Sequence, residues 1–300
     1  MKRKSSEELN LRLGAPGRIA FREREGFTCV VLANRFATCE LSLYGGHVLS
    51  YRPVGLGPLL FLSEKAVYRE GRAIRGGIPL CWPWFGASTE PGKPSHGFAR
   101  ISWWEVASTT YTSETTEVTL KLLPSLETRA LWDFNFDLTL LVRLGESLHL
   151  EMTTVNLDSR PMPLTQAFHP YFLVRDIAQT TVAGVDKAKI WDYTSASSSV
   201  QAGTLKFEKM TNLFLLPPAN GCQIQDHGLR RVVTEIMHGT RSLVIWNPGQ
   251  EQAPSLSDFG DGEYRKMVCI EPAQTRETAV VLQPGEKTSL SMEIQAQMMK

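Results

Sequence analysis

The sequence predicts an all-β protein, a large antiparallel β-sandwich with few short helices. Three observations carry that expectation. Short runs rich in β-branched and apolar residues recur from Phe27 almost to the end of the chain. Glycine, proline and asparagine punctuate them, as at Asn34-Arg35, Gly45-Gly46 and Pro284-Gly285. No substantial stretch carries the apolar period of an amphipathic helix, and many short strands without such helices pack as a sandwich.

Residues 1–15 read as a polar leader with a short helical turn at Ser6–Leu9. FTCVVLAN and ATCELSLY, then HVLSYRP, read as successive antiparallel strands. A loop with Pro53, Gly55, Gly57 and Pro58 leads to LLFLS, another strand candidate. After Arg100 the pattern resumes with ISWWEVAS, EVTLKLLP, FNFDLTLLVRL and LHLEMTTVN. Phe134, Phe136, Leu138, Leu140 and Val142 are spaced by two, so they share one strand face. Gly145-Glu146 then turns the chain into a hairpin partner. TTVAGV and KAKIWDYTS read as strands and turns, and Ser195–Ser199 as a brief polar turn. VVTEIMHG, SLVIWNPG and MVCIEP are clearer strands, and VVLQPGEKTSLSMEIQ supplies two closing ones.

No Ser/Gly-rich or charged linker divides the 300 residues, so a single domain over 1–300 is expected. The 42% hydrophobic share suffices for a sizeable core and excludes a disordered composition. A net charge of +1 argues against a broad nucleic-acid footprint, though not against a local anionic ligand. The five cysteines are odd in number and contain no CxxC pair, which disfavours a disulfide framework or a zinc site and suits a reducing cytosol. MKRKSSEELN lacks the apolar core of a secretory signal, and no run approaches the ~20 apolar residues of a membrane helix. A soluble cytoplasmic monomer that contacts neither nucleic acid nor membrane is the expectation.

The chain is organised around IRGGIPLCWPWFGASTEPGKPSHGFAR, from Ile74 to Arg100. Arg75 and Arg100 bracket it. Pro79 and Pro83 deny it a continuous helix or a central strand. Trp82, Trp84 and Phe85 stand where a polar loop is expected, as if walling a concave site. Two guanidinium forks beside such a wall suit a phosphate or carboxylate. Taken alone, the segment fits a buried aromatic turn with two solvated arginines better. Two more residues stand out with equally plain alternatives. His169, in PLTQAFHPYFLV, sits among aromatics as a core or rim histidine would. Glu271 follows the apolar run Met267 to Ile270, where a carboxylate is costly to bury unless paired or used, or simply points to water.

IRGGIP, WPWFG and HGFAR together resemble the glucose-6-phosphate 1-epimerase branch of the aldose 1-epimerase (galactose mutarotase-like) superfamily. Downstream matches extend the resemblance from about Thr28 to Ile294. It implies the galactose mutarotase-like supersandwich. It implies that Arg75 and Arg100 hold a sugar phosphate and that His96 lies near the sugar ring. PLTQAFHPYFLV is similar to the family's catalytic-histidine motif, which makes His169 the general acid; MVCIEP matches its base motif, which makes Glu271 the general base. Asn212 stands where the family usually has an aspartate that contacts the sugar, and Ser95 where it commonly has glutamine. Both departures concern sugar hydroxyls, so glucose, galactose and mannose stay open.

Exchange of aldose anomers needs a base for the C1 hydroxyl and an acid for the ring oxygen. It needs no metal or other cofactor, and the sequence carries no P-loop, no Rossmann GxGxxG and no HExxH. The expectation is therefore a cofactor-free isomerase acting on a hexose 6-phosphate. An aldose 1-epimerase for unphosphorylated sugars and a non-catalytic sugar-phosphate-binding or regulatory protein are the alternatives. The arginines speak against the first, and retention of His169 and Glu271 against the second.

Overall fold

The computed structural model describes residues 3–216 and 220–299; Met1 and Lys2 of the predicted leader, Pro217–Ala219 in the stretch after Asn212, and Lys300 lie outside them. The first four strands, Ile19–Arg24, Phe27–Ala33, Ala37–Ser42 and His47–Pro53, form an antiparallel meander in chain order. A nine-stranded sheet runs Leu205–Lys206, Thr180–Ala183, Gly221–Asp226, Arg231–His238, Lys287–Met298, Leu148–Asn156, Phe136–Leu144, Thr116–Leu122 and Glu105–Tyr111. An eight-stranded sheet runs Ser197–Val200, Lys189–Asp192, Thr211–Leu216, Ser242–Asn247, Met267–Gln274, Gln166–Phe168 and Leu80–Cys81, with Tyr171–Leu173 also paired to Met267–Gln274. The all-β expectation holds.

Period-two alternation decides which side chains these sheets bury. Leu138, Leu140 and Val142, on the face predicted from spacing, join the main apolar cluster with Val30 and Leu41 of the meander. From the eight-stranded sheet the same cluster takes Leu213 and Leu215, Leu243 and Ile245, Val268 and Ile270. The alternate residues on those three strands therefore face the other way: Asn212 and Phe214, Val244 and Trp246, Cys269 and Glu271. That outer face carries the site.

Several expectations are corrected. The helical turn at Ser6–Leu9 is a full helix, Ser6–Leu13, opened by a capping box in which Ser5 accepts from the N–H of Glu8 and Glu8 reaches back to Ser5. LLFLS forms only isolated bridges, Leu60 to Phe172 and Leu62 to Gly76, because Gly76-Gly77 and the histidine segment take its hydrogen bonds. ISWWEVAS is strand only from Glu105, since Ala99–Ile101 is a 3₁₀ turn. The polar turn Ser195–Ser199 includes an edge strand, Ser197–Val200. The two closing strands do not pair with each other: Val280–Leu282 pairs Met162–Leu164, while Lys287–Met298 lies between Leu148–Asn156 and Arg231–His238. Of the three rings expected to wall the site, Trp82 is fully buried against Phe98, Trp132 and Phe136, with its indole N–H on Thr154 Oγ1 at 2.9 Å. Trp84 packs against the main core, and only Phe85 reaches the cavity described below.

The core also encloses an unpartnered acid. Glu235, on Arg231–His238, is fully buried, and neither carboxyl oxygen has a hydrogen-bond partner among the described residues. Burial, reinforced by the nearby Glu271, holds its carboxyl well above the usual range, so it is carried neutral.

Candidate active site

A cavity of about 840 Å³ opens on the outer face of the eight-stranded sheet. It gathers all seven residues singled out in the sequence: Arg75, Ser95, His96, Arg100, His169, Asn212 and Glu271. Its floor is built from the alternation described above, with Asn212, Val244, Trp246 and Glu271 on three adjacent strands. Glu271 is not at a strand end but inside Met267–Gln274, opposite Val244.

His169 sits at the break between Gln166–Phe168 and Tyr171–Leu173. Its N–H donates to Pro79 O at 3.0 Å, and Tyr171 N–H donates to Gly77 O at 2.8 Å, so the histidine segment is laid along the Gly-Pro block. Gly77 makes that approach possible. Its φ is +64, and a Cβ there would lie 2.2 Å from Val48 O. The imidazole stacks on Tyr171, centroids 4.9 Å apart and 12° from parallel, with Trp246 edge-on at 5.9 Å. These contacts fix the ring, and its Nε2 lies 3.4 Å from Glu271 Oε1.

Both members of this pair are buried, and burial opposes charge on each. The Glu271 carboxyl is held well above the usual carboxylate range by burial, against the pull of Arg100. The His169 imidazole is held well below its usual value by burial, then by His96, Arg100 and Arg75. The two shifts run in one sense: across the 3.4 Å contact each group disfavours its own charged form. Glu271 Oε2 and His169 Nδ1 are buried without partners among the described residues.

His96 adopts the left-handed region at φ 60, uncommon for a residue with a Cβ and typical of strained functional positions. Its N–H donates to Gly86 O at 2.6 Å, and Gly86 N–H donates back to His96 Nδ1 at 3.3 Å. Nδ1 is therefore the acceptor, and the ring proton sits on Nε2. Burial, then Arg100 and Arg75, pushes this imidazole down to about 3, so it stays a neutral donor. Cys81 Sγ lies 3.4 Å from the same Nδ1, and burial pushes that thiol up to about 12.

The two arginines are not equivalent. Arg75 Nε and Nη2 each lie 3.1 Å from Asp258 Oδ1, and Nη1 donates to Tyr171 Oη at 3.0 Å. Arg100 has no carboxylate partner among the described residues; its Nη2 donates to the backbone O of Ser95 at 2.8 Å, and its buried Nε is unpaired. Ser95 thus positions Arg100 through its carbonyl. Asp258, Tyr171, Trp246 and Arg276 also line the cavity and were not picked out in the sequence. Arg276 has φ 54 and rests against Trp191, Tyr193 and Phe214, 5.3–5.7 Å from their centroids. For Tyr171 a signal existed, because a residue two positions beyond His169 across Pro170 repeats its strand parity. For Asp258 none did, because the loop also offers Asp261 and Glu263.

Comparison with known proteins gives the family and agrees with the fold. The family model described as aldose 1-epimerase matches residues 28–295. A relative in Cenchrus ciliaris, named "putative glucose-6-phosphate 1-epimerase", is 35% identical over 274 residues, covering 87% of this chain and 82% of its own. A relative of the same name in Escherichia coli K12 is 32% identical, with 87% of each chain covered. Among solved structures, a "putative mutarotase" from Salmonella typhimurium superposes with a TM-score of 0.88 at 29% identity, covering 94% of both chains. No helix among the described residues is long and apolar enough to cross a membrane.

Proposed function

This chain is an isomerase that belongs to the aldose 1-epimerase family, and on that premise we propose that it interconverts the α and β anomers of a hexose 6-phosphate, glucose 6-phosphate foremost. One observation carries the reading. A buried carboxyl–imidazole pair 3.4 Å apart lies in a cavity whose wall presents the Arg100 fork, which has no carboxylate partner among the described residues.

Glu271 as carboxylate takes the proton of the C1 hydroxyl while His169 gives one from Nε2 to the ring oxygen. The bond between C1 and the ring oxygen breaks, and its electron pair leaves with that oxygen as C1 becomes a carbonyl. The C1–C2 bond rotates. Return of both protons then closes the ring on the other face of the carbonyl. His96 donates its Nε2 hydrogen bond to the ring oxygen or to the opened carbonyl without giving up the proton.

The 6-phosphate is received by Arg100, with Arg75 beside it. Binding through this remote group holds the reacting carbon over the pair. It also acts on the imidazole: Arg100 and Arg75 both depress His169, so a phosphate dianion that offsets them favours the protonated acid, while offsetting Arg100 also weakens its pull on the Glu271 carboxyl. The pairing of Arg75 with Asp258 favours one competitor, a 1-epimerase for unphosphorylated sugars, because it removes one of the two free cations.

Saturation-transfer NMR between the C1 protons of the two anomers tests the proposal. Glucose 6-phosphate, galactose 6-phosphate and free glucose are compared, with the wild type beside Glu271→Gln. Faster exchange than buffer on a phosphosugar, abolished in the variant, is expected. Equal acceleration of free glucose would favour the competitor. No acceleration by folded protein would leave a sugar-binding or regulatory role.

A further inference from the structure

Met267–Gln274 places Cys269 two residues before Glu271, on the same outer face. Cys269 is flanked by Tyr171 and Trp246 on the neighbouring strands, and His169 stacks on that tyrosine. One ligand atom each from His169, Cys269 and Glu271 lies within 4.8 Å of the others. We propose that these three residues form an inhibitory site for a thiophilic divalent cation, Zn²⁺ in particular, which shuts the cavity's proton chemistry reversibly.

The geometry is close to a tetrahedral metal site. Two ligand atoms each ~2.0–2.1 Å from a common zinc, at a tetrahedral angle, stand about 3.4 Å apart. His169 Nε2 and Glu271 Oε1 are separated by 3.4 Å. The sulfur is somewhat farther than a zinc-bound edge of about 3.6 Å requires, and a shift of about 1 Å brings it in. Neither side chain is tied down by its other polar atom: Glu271 Oε2 and His169 Nδ1 have no partners among the described residues, so Oε1 and Nε2 can turn toward an ion, and both side chains are about nine-tenths buried or more. A water or sugar hydroxyl from the cavity completes four-coordination.

Ligand type selects the ion. One thiolate, one imidazole and one carboxylate suit zinc or cobalt and reject magnesium or calcium, which take oxygen ligands. Charge gives the same result. Cys269 and Glu271, once deprotonated, neutralise the dication, an arrangement needed beside Arg100. Zinc binds the thiolate, so the Cys269 proton passes to the buffer when the ion binds. The bound ion then occupies the base and the acid at once.

Cobalt titration of the full chain reads the site without relying on anomer exchange. Wild type should bind one equivalent of Co²⁺ with a near-ultraviolet sulfur-to-cobalt absorption band, and Zn²⁺ should displace it. Cys269→Ser should lose the band and hold Zn²⁺ at least about tenfold more weakly, whereas Cys81→Ser should keep the band. Should Cys269→Ser fold poorly, proton release serves on the wild type alone: at least about one proton per Zn²⁺ in weak buffer near neutral pH. Absence of the band in wild type, an undiminished band in Cys269→Ser, or zinc uptake without proton release would overturn the proposal. Any enzymatic anomer exchange should fall as Zn²⁺ binds and return with a chelator; unimpaired exchange at full zinc occupancy would also refute it.

Discussion

Arg75 is held by Asp258: Nε and Nη2 of the guanidinium each lie 3.1 Å from the same carboxylate oxygen, Oδ1. The pair is only 22% and 13% exposed, so solvent screens it incompletely. Arg100, on the same cavity, carries no such partner among the described residues. A phosphate entering this cavity therefore meets one compensated and one uncompensated cation.

Asp258→Asn removes the compensating charge while keeping an acceptor. The KM for glucose 6-phosphate should fall about fivefold, as expected for ~1 kcal/mol of relieved repulsion. The kcat should fall too, because an amide oxygen holds the Arg75 fork less firmly than a carboxylate does. Steady-state anomer exchange checks both; an unchanged or higher KM would remove Asp258 from the phosphate's surroundings.

Arg100→Met keeps the length of the stem and deletes the fork. Loss of charge-assisted hydrogen bonds to phosphate should raise KM for the phosphosugar at least about tenfold. Any activity on free glucose should stay within about twofold. Parallel losses on both sugars would reassign Arg100 to the sugar ring or to structure.

Glu235→Gln should stabilise the protein at neutral pH. The folded-state pKa of Glu235 is raised by burial above the ordinary unfolded value of about 4.3. Below that unfolded value both states are protonated and nothing is lost. Above it the unfolded chain ionises while the folded one stays neutral, so wild-type stability falls with rising pH until the folded pKa is passed. The glutamine variant lacks this titration. Its advantage should be small near pH 4 and grow to about 1–3 kcal/mol by pH 7 in urea denaturation. A difference independent of pH would contradict a neutral Glu235.

Gly97→Ala should be costly and Gly92→Ala mild. Both glycines have positive φ, 71 and 81, but a Cβ at 97 would lie 2.0 Å from Trp82 O, whereas nothing lies within 4 Å at 92. The first change should cost about 3 kcal/mol or more, the second about 1 kcal/mol. Gly97 adjoins His96, so its variant should also lose anomer exchange in whatever fraction remains folded. Similar thermal midpoints for the two variants would show that the block accommodates the methyl.

The outer face of the sheet was legible wherever alternation was clean. Val268 and Ile270 against Cys269 and Glu271 follow directly from MVCIEP, and the resemblance supplied the histidine. Asn212, one residue into its strand, falls on the correct face by the same rule. Pairings that join distant segments were not legible. Asp258 meets Arg75 across 183 positions, and no local spacing ranks it above Asp261 or Glu263. Trp82 and Phe85 belong to one short aromatic run, yet one is core and the other cavity wall, because a proline-broken segment has no alternation to separate them. At the amino end the capping signal Ser5 to Glu8 was present in the sequence and marks a helix longer than one turn.

The strand that bears Glu271 takes its place only when its neighbours arrive from far along the chain. Gln166 and Gln274, whose side chains join at 2.9 Å, are 108 positions apart. Early hairpins such as Phe136–Leu144 with Leu148–Asn156 need no such closure. During refolding, strand content from such hairpins should therefore recover ahead of catalysis, since long-range pairing is the slow event. Regain of anomer exchange is then a stopwatch for completion of the whole topology, and a fragment that ends between Arg75 and Glu271 lacks one half of the buried pair.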